Sequence, residues 1–423
     1  MNDDDLTTDL GRALRDHSDA MHGTSLALAD VQHKARSIRR RRAATAVGGA
    51  VAAIALIVPT AALANHHGRS IEPLPATQSV TPTPSPTTSE GRQPPAGVLD
   101  VSDLPTGDAP RMDYVQDGTF HFANGDAGEV RTRYTPAQFV WLADGARVWR
   151  TTDKDGFSYV EIQDVDGTFH DPVRIGSDLS VNSAHSIVAW LTPSGQVTIW
   201  EGWASEPRPL GDPVPGNDLR LGPITGSADV APGQTGPNCQ QSSCTVIVNV
   251  RDGGGQPWEV GESGSQRLLD GGYLSVSDVS DAGLSVGLTK ITDFGSCSKL
   301  LGGGEFHGFS TCQHTLVSFS PDERLLLADP AYHDGLGNGV IAMYDVTTGD
   351  LLFERHSTQR AQAFYPEGSW EDDTHVLVPV FQDGAWALVR VASDGSMEYA
   401  VPPAPGADAE NPYVLPSGGN LPG

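Results

Sequence analysis

Beyond residue 107 the chain is cut into short pieces by a recurring turn signal. Asp-Gly dipeptides begin at Asp117, Asp144, Asp155, Asp166, Asp252, Asp270, Asp334, Asp383 and Asp394. Asp-Gly suits tight hairpins because the turn needs positive φ, which glycine adopts without steric cost. Between these turns lie alternating stretches such as Ser158-Tyr159-Val160-Glu161-Ile162, Gln196-Val197-Thr198-Ile199-Trp200 and Trp386-Ala387-Leu388-Val389-Arg390-Val391. Period-two alternation predicts strands with one buried face. No stretch beyond residue 100 has a convincing helical period. With 48 Gly and 31 Pro against 19% charged residues, a long coiled coil is excluded. The expected fold class is all-β.

The strands recur in larger units. Comparable first strands begin near Gln138, Leu179, Leu219, Gly272, Thr315 and Ala361, at spacings of roughly 40 to 50 residues, the length of one four-stranded propeller blade. Six units are visible. Strand-like segments at 111–135 and 412–415 would make a seventh, shared by the two ends of the chain, with residues 120–122 and 413–415 meeting at the junction. Such sharing closes a ring and removes exposed sheet edges. The expectation is a β-propeller of six or seven four-stranded blades.

The clearest unit reads Val317-Ser318-Phe319-Ser320-Pro321-Asp322, then Leu325-Leu326-Leu327, then Tyr344-Asp345-Val346-Thr347-Thr348-Gly349. It resembles a WD-type or TolB-like repeat, without the usual Gly-His and Trp-Asp signatures. The last unit, with Trp370-Glu371-Asp372-Asp373 and Gln382-Asp383-Gly384-Ala385-Trp386, resembles the closing repeats of membrane-anchored propellers of actinobacteria. That resemblance implies a propeller outside the membrane that binds other molecules.

The N-terminal quarter has a different character. Residues 43–65 contain no charged side chain, and Arg39, Arg40, Arg41 and Arg42 stand immediately before them. A helix crossing the hydrocarbon core needs about 20 apolar residues, and the basic cluster stays on the cytoplasmic side. Four segments follow: a cytoplasmic N-terminus (1–42), one transmembrane helix (43–65), a Pro/Thr/Ser-rich disordered linker (66–107) and an extracytoplasmic propeller (108–423). The rival reading is a signal peptide cleaved after Ala64, since Ala62-Leu63-Ala64 has the small-x-small form. Residues 71–95 hold 7 Pro and 8 Ser or Thr and no aromatic residue, which keeps the linker extended and unfolded.

The net charge is −26. An acidic excess of that size argues against nucleic acid as a partner, because phosphate binding needs clustered Lys and Arg. Outside the membrane the four cysteines, Cys239, Cys244, Cys297 and Cys312, are expected to form two disulfides. Three pairings are open. The local one, Cys239–Cys244 and Cys297–Cys312, keeps each bond within one predicted blade, the second clasping the Gly-rich residues 301–308.

Other candidates have plainer readings. Gly283-Leu284-Ser285-Val286-Gly287 fits the G-x-S-x-G pattern of serine hydrolases, but that chemistry needs a strand–turn–helix elbow, and here the pentad runs on into a strand. Asp153-Lys154-Asp155-Gly156 and Asp164-Val165-Asp166-Gly167 echo calcium loops but lack the full oxygen set, so hairpin turns are expected. His307, His314 and His333 have no metal-ligand spacing and read as solvated loop residues. Trp149, Trp190, Trp200 and Trp386 read as packing between blades, while Trp203 and Trp258 lie nearer turns. No catalytic, cofactor or metal residue is assigned.

The function expected is therefore that of a single-pass cell-membrane protein whose propeller binds an unidentified protein or cell-envelope ligand without catalysis. Two other classes stay open. The segment from Leu10-Gly11-Arg12-Ala13-Leu14 to Arg42 resembles the inner tails of actinobacterial proteins associated with extracytoplasmic-function sigma factors, which implies a cytoplasmic sigma factor as partner of a transmembrane regulator. The third class is an extracellular hydrolase on a propeller scaffold.

Overall fold

The computed structural model describes residues 97–418, except residues 203, 205, 226–243, 251–254, 269–271, 293–294, 303–307 and 333–336. The expected cytoplasmic segment, transmembrane helix, most of the linker, Cys239, Trp203, His307 and His333 lie outside them. Among the described residues there is no α-helix, and hence none long and apolar enough to cross a membrane.

The described residues form seven four-stranded antiparallel sheets. The first strands of blades 2 to 7 are Thr135–Trp141, Ser180–Val181, Leu219–Thr225, Ser275–Val279, His314–Phe319 and Ser369–Trp370. In each blade the following strands pair in sequence order. Blade 1 is composite: Tyr413–Val414 from the C-terminus is its first strand, hydrogen-bonded to Tyr114–Gln116 from the other end of the chain. The chain is a seven-bladed β-propeller, closed by its own ends. The junction differs from the expected one in a detail. Residues 120–122 belong to the next strand and its exit, Thr119–His121, and the earlier Tyr114–Gln116 makes the closing pair. The last unit also starts later than Ala361, at Ser369, because residues 361–365 are spent on the connection between blades.

The closing strand is stitched on both sides. Ser369 of blade 7 donates to the Pro416 carbonyl at 2.8 Å. On the other side Ser417 N–H donates to the Phe139 carbonyl at 2.9 Å, and the Gln138 amide donates to the Ser417 hydroxyl at 2.6 Å. Gly418, at φ 85°, then passes so close to Val181 that a Cβ there would collide with it. Short as it is, the strand is held by blades 7, 1, 2 and 3.

The Asp-Gly turns fall into two kinds. At Asp117-Gly118 and Asp383-Gly384 both residues have positive φ, 50° and 76°, 52° and 81°, and two-residue loops join Gln116 to Thr119 and Gln382 to Ala385. At Asp144, Asp155, Asp166 and Asp394 only the glycine is left-handed, in three-residue loops. There the side chain joins in: Asp144, Asp166 and Asp394 accept the N–H two residues on, from Ala146, Thr168 and Ser396, at 2.9, 2.9 and 2.8 Å. Asp and Gly are thus used for separate jobs, one as acceptor and one as backbone hinge. The calcium-like segments at Asp153 and Asp164 are two of these hairpins. The remaining three Asp-Gly pairs lie outside the described residues.

Alternation predicted one buried face per strand, and the structure corrects this. Ile187–Leu191 is buried throughout, and Ala385–Ala392 nearly so, because a neighbouring blade covers each side of an inner strand. Trp149, Trp190, Trp200 and Trp386 are all buried between blades, as expected. The polar positions of the alternation are buried with them. Glu161 accepts from Arg133 N–H, Tyr134 N–H and the Thr151 hydroxyl at 2.7, 3.3 and 2.7 Å. Arg390 grips Glu371 through two nitrogens and reaches Glu398 and the carbonyls of Asp108 and Ala109. Burial works against the Arg390 charge, but hydrogen bonds and charge from Glu371 and Glu398 outweigh it and hold its pKa above the ordinary value.

Arg390 thereby holds a strap. Gly97 and Leu99 bond the His356 backbone on the outer strand of blade 6, and Pro105 and Gly107 bond Tyr399 on the outer strand of blade 7. Leu99, Val101 and Leu104 sink into the core shared by these blades. The linker boundary at residue 108 therefore moves back: the chain is bound to the head from Gly97 onward.

Ending the chain after Ala409 removes the closing strand and uncovers apolar faces of blades 7 and 2, so the melting temperature of the whole head should fall, with faster proteolysis. Arg390→Leu strands the buried Glu371 carboxylate and should destabilise the head by about 3–5 kcal/mol, measured by urea unfolding; Glu371→Gln in the same chain should return part of that loss.

Candidate functional site

Alternating strand directions place successive connections at opposite ends of the ring. Turns joining first to second strands lie at one end, here called lower. Connections between second and third strands, and those between blades, lie at the upper end. The two ends differ in chemistry.

At the lower end the turns hold one another. The Ser183 hydroxyl of blade 3 donates to Asp281 of blade 5 at 2.5 Å. Glu323 of blade 6, at φ 60°, accepts from the Asp281 and Ala282 N–H groups. Behind them Asp278 accepts from Phe319 N–H and Val279 N–H, both at 2.8 Å. Burial raises the Asp278 pKa to about 6 against these hydrogen bonds, and the negative charges of Glu323 and Asp281 add to the rise.

The upper end presents a cavity of about 390 Å³ beside the channel mouth. Arg150 of blade 2, Asp178 from the connection between blades 2 and 3, and Arg220 of blade 4 meet there. One Asp178 oxygen lies 3.4 Å from Arg150 Nη1 and the other 3.4 Å from Arg220 Nη1. These contacts are long for charge-assisted hydrogen bonds, which run about 2.7–2.9 Å. Arg150 Nε is buried without a partner. Backbone at Gly176, Gly195 and Gly216 lines the same space. Glu367, from the connection into blade 7, lies near enough to feel the charges of Asp178 and Arg150. The protein around it raises its pKa, Asp178 and Asp329 add to that, and Arg150 opposes. Asp329 is itself fixed by the Tyr365 hydroxyl at 2.6 Å and the Asn338 amide at 2.8 Å. Asp218 lies 3.9 Å from Arg220 Nε, so two guanidinium groups and two carboxylates line one open cavity, an arrangement suited to holding a charged group.

Phe157 and Tyr332 stand on the connections between second and third strands of blades 2 and 6, and Ile291 near the end of the second strand of blade 5, all well exposed. They therefore share the upper end with this mouth. None of the mouth residues was singled out in the sequence. Arg150, Asp178, Arg220 and Glu367 lie far apart along the chain with no fixed spacing, and ring closure alone gathers them.

The residues that were singled out are placed as follows. Cys297, on the third strand of blade 5, and Cys312, just past the end of the fourth, form a disulfide. Cys244 is also disulfide-bonded, and its expected partner Cys239 lies outside the described residues. Ser285 opens the strand Ser285–Thr292, its hydroxyl 3.0 Å from that of Tyr273; no helix follows it. His314 is not a solvated loop residue: it starts a strand, is buried, and contacts the Tyr344 hydroxyl at 2.7 Å and Glu354 at 3.0 Å. Trp258 is half-buried under the guanidinium of Arg267. Among the described residues no group of three His, Cys, Asp or Glu side chains is placed to hold a metal ion.

No family model matches the chain, and no curated protein does. Among solved structures it is similar to YCF48 bound to D1 peptide, at 16% identity and a TM-score of 0.42, over 70% of this chain and 86% of that one. It is also similar to the dihydro-heme d1 dehydrogenase NirN (15%, TM-score 0.40, 73% and 78%). A third is the β-propeller domain of the Trilobed protease from Pyrococcus furiosus (9%, TM-score 0.39, 64% and 84%). Likenesses this distant concern the fold, which the sheet order of this chain establishes by itself.

The pKa of Asp278 carries a pH prediction. A carboxyl whose folded pKa lies above its unfolded value of about 3.9 stabilises the fold fully below that value and loses the contribution as pH rises through about 6. The head should therefore lose stability between pH 4 and pH 6.5 by an amount that Asp278→Asn removes, measured as the difference between the two proteins' urea midpoints across that range.

Proposed function

We propose that the protein is a non-catalytic binding module anchored in the cell membrane by residues 43–65, with the propeller outside the cell. The upper channel mouth takes a charged group of a protein or cell-envelope ligand. One observation carries this reading: the two ends of the ring are unequal. At the lower end, side chains of the turns in blades 3, 5 and 6 are spent on one another. At the upper end Arg150 and Arg220 meet at Asp178 through long contacts beside an open cavity, with Asp218 3.9 Å from Arg220. A rigid ring presenting connections of several blades to one space is well suited to recognition. The membrane assignment rests on the basic cluster before an uncharged 23-residue run.

One experiment on intact cells tests both parts. A photo-crosslinking side chain at Asn217, beside the mouth, should capture a partner on illumination, and Arg150→Gln with Arg220→Gln should abolish capture without lowering the melting temperature. Protease added to protoplasts should digest the head and leave a membrane-bound stub. Capture unchanged by the double substitution would overturn the mouth as the site. A protected head would overturn the topology, and a soluble chain beginning at Asn65 would establish the cleaved signal peptide instead.

A further inference from the structure

Blade 1 is the smallest in the ring. Its strands hold two or three residues each, whereas the first three strands of blade 2 hold six or seven. Sheets so unequal cannot cover each other fully. A cleft of about 330 Å³ remains between them, away from the upper mouth, lined by Phe120, Phe122, Arg147, Trp149 and Gln163.

The cleft combines an apolar floor with an under-compensated cation. The Arg147 guanidinium lies 4.1, 4.7 and 5.3 Å from the ring centres of Trp141, Phe120 and Phe122. Its Nη1 reaches Gln163 only at 3.4 Å, and its Nε is buried without a partner. Asp113 acts on it through space, and Arg147 makes no ion pair among the described residues. Trp149, 2% exposed, lines the same cleft with its indole N–H unpartnered. Buried donors in folded proteins nearly always have an acceptor. Here two belong to residues that line one cleft, one of them on the half-buried guanidinium itself.

A carboxylate answers each of these features. Its oxygens accept from the guanidinium edge and from an indole N–H, and a group attached to it rests on the Phe120, Phe122 and Trp149 surfaces. Glu129, Asp166 and Arg131 also line the cleft, so its two cations are already balanced by two carboxylates, which favours one negative charge over a phosphate. We propose that the cleft between blades 1 and 2 is a binding site for a monocarboxylate carried on an apolar, preferably aromatic, group. A free aryl-alkyl acid and the C-terminus of a peptide ending in an aromatic residue share this chemistry.

The test uses the full-length chain, with tryptophan fluorescence and melting temperature as readouts. The probes are 3-phenylpropionate, N-acetyl-phenylalanine, its amide, and a hexapeptide ending in phenylalanine. Both free acids should give saturable quenching and raise the melting temperature, and the amide should do neither. Arg147→Gln should weaken binding roughly ten- to a hundredfold, and Arg360→Gln, at an exposed position between blades 6 and 7, should leave it unchanged. Arg147→Lys keeps the charge beside the rings and should bind measurably more weakly than wild type at an unaltered melting temperature, which separates lost binding from lost folding. Tighter binding of the hexapeptide than of the free acids assigns a peptide terminus, and equal binding assigns a free acid. Equal binding of the amide, no saturation by any acid at roughly 10 mM, or wild-type affinity in both Arg147 variants would overturn the proposal.

Discussion

Everything in this head depends on a strand two residues long. Tyr413–Val414 pairs with Tyr114–Gln116 and so joins the last blade to the first. Each blade covers its neighbours' apolar faces, so an open ring would leave two faces bare. A two-residue ladder is too weak to resist that by itself. Contacts around it share the load: Ser369 on one side, Gln138 and Phe139 on the other, and the close passage of Gly418 past Val181. The same economy leaves blade 1 undersized, and the gap beside it holds Arg147 and the unpartnered Trp149 indole.

A second principle is the use of buried polar groups as clamps on chain segments that cross between blades. Glu161 ties down the connection between blades 1 and 2 by its backbone N–H groups at Arg133 and Tyr134. Arg390, with Glu371, ties down the strap at Asp108 and Ala109, and Glu371 also accepts from Arg111 N–H at 2.7 Å. Such segments have no ladder partner of their own along their whole length, and a buried charge with several acceptors or donors satisfies them at one point. The strap makes the entry of the chain into the head a rigid mount along two blades. The ends of the ring divide other polar groups between turn-to-turn hydrogen bonds below and an arginine-bearing cavity above.

The all-β class, the blade spacing and the shared terminal blade were legible in the sequence because they rest on local signals. Turn chemistry at Asp-Gly and period-two alternation act within a few residues, and first strands foreseen near Gln138, Leu179, Leu219 and Thr315 fall within a few residues of their places. The Cys297–Cys312 bond was legible for the same reason, since its partners are 15 residues apart within one blade. Burial was misread wherever it depends on a neighbouring blade. Glu161 and Arg390 looked like solvent-facing members of alternating strands, and His314 like a loop residue, because nothing local tells whether a second sheet covers the outer face.

The candidate sites were not legible at all. Arg150, Asp178, Arg220 and Glu367 span more than two hundred residues and carry no motif; Arg147 and Trp149 look like ordinary strand residues. By itself the sequence determined the elements, their order and their repeat, because backbone preference and hydrophobic period are properties of short segments. Only the closed ring decided which polar side chains are buried, which turns bond one another across blades, and which arginines line a cavity, because those outcomes depend on distant blades being brought side by side.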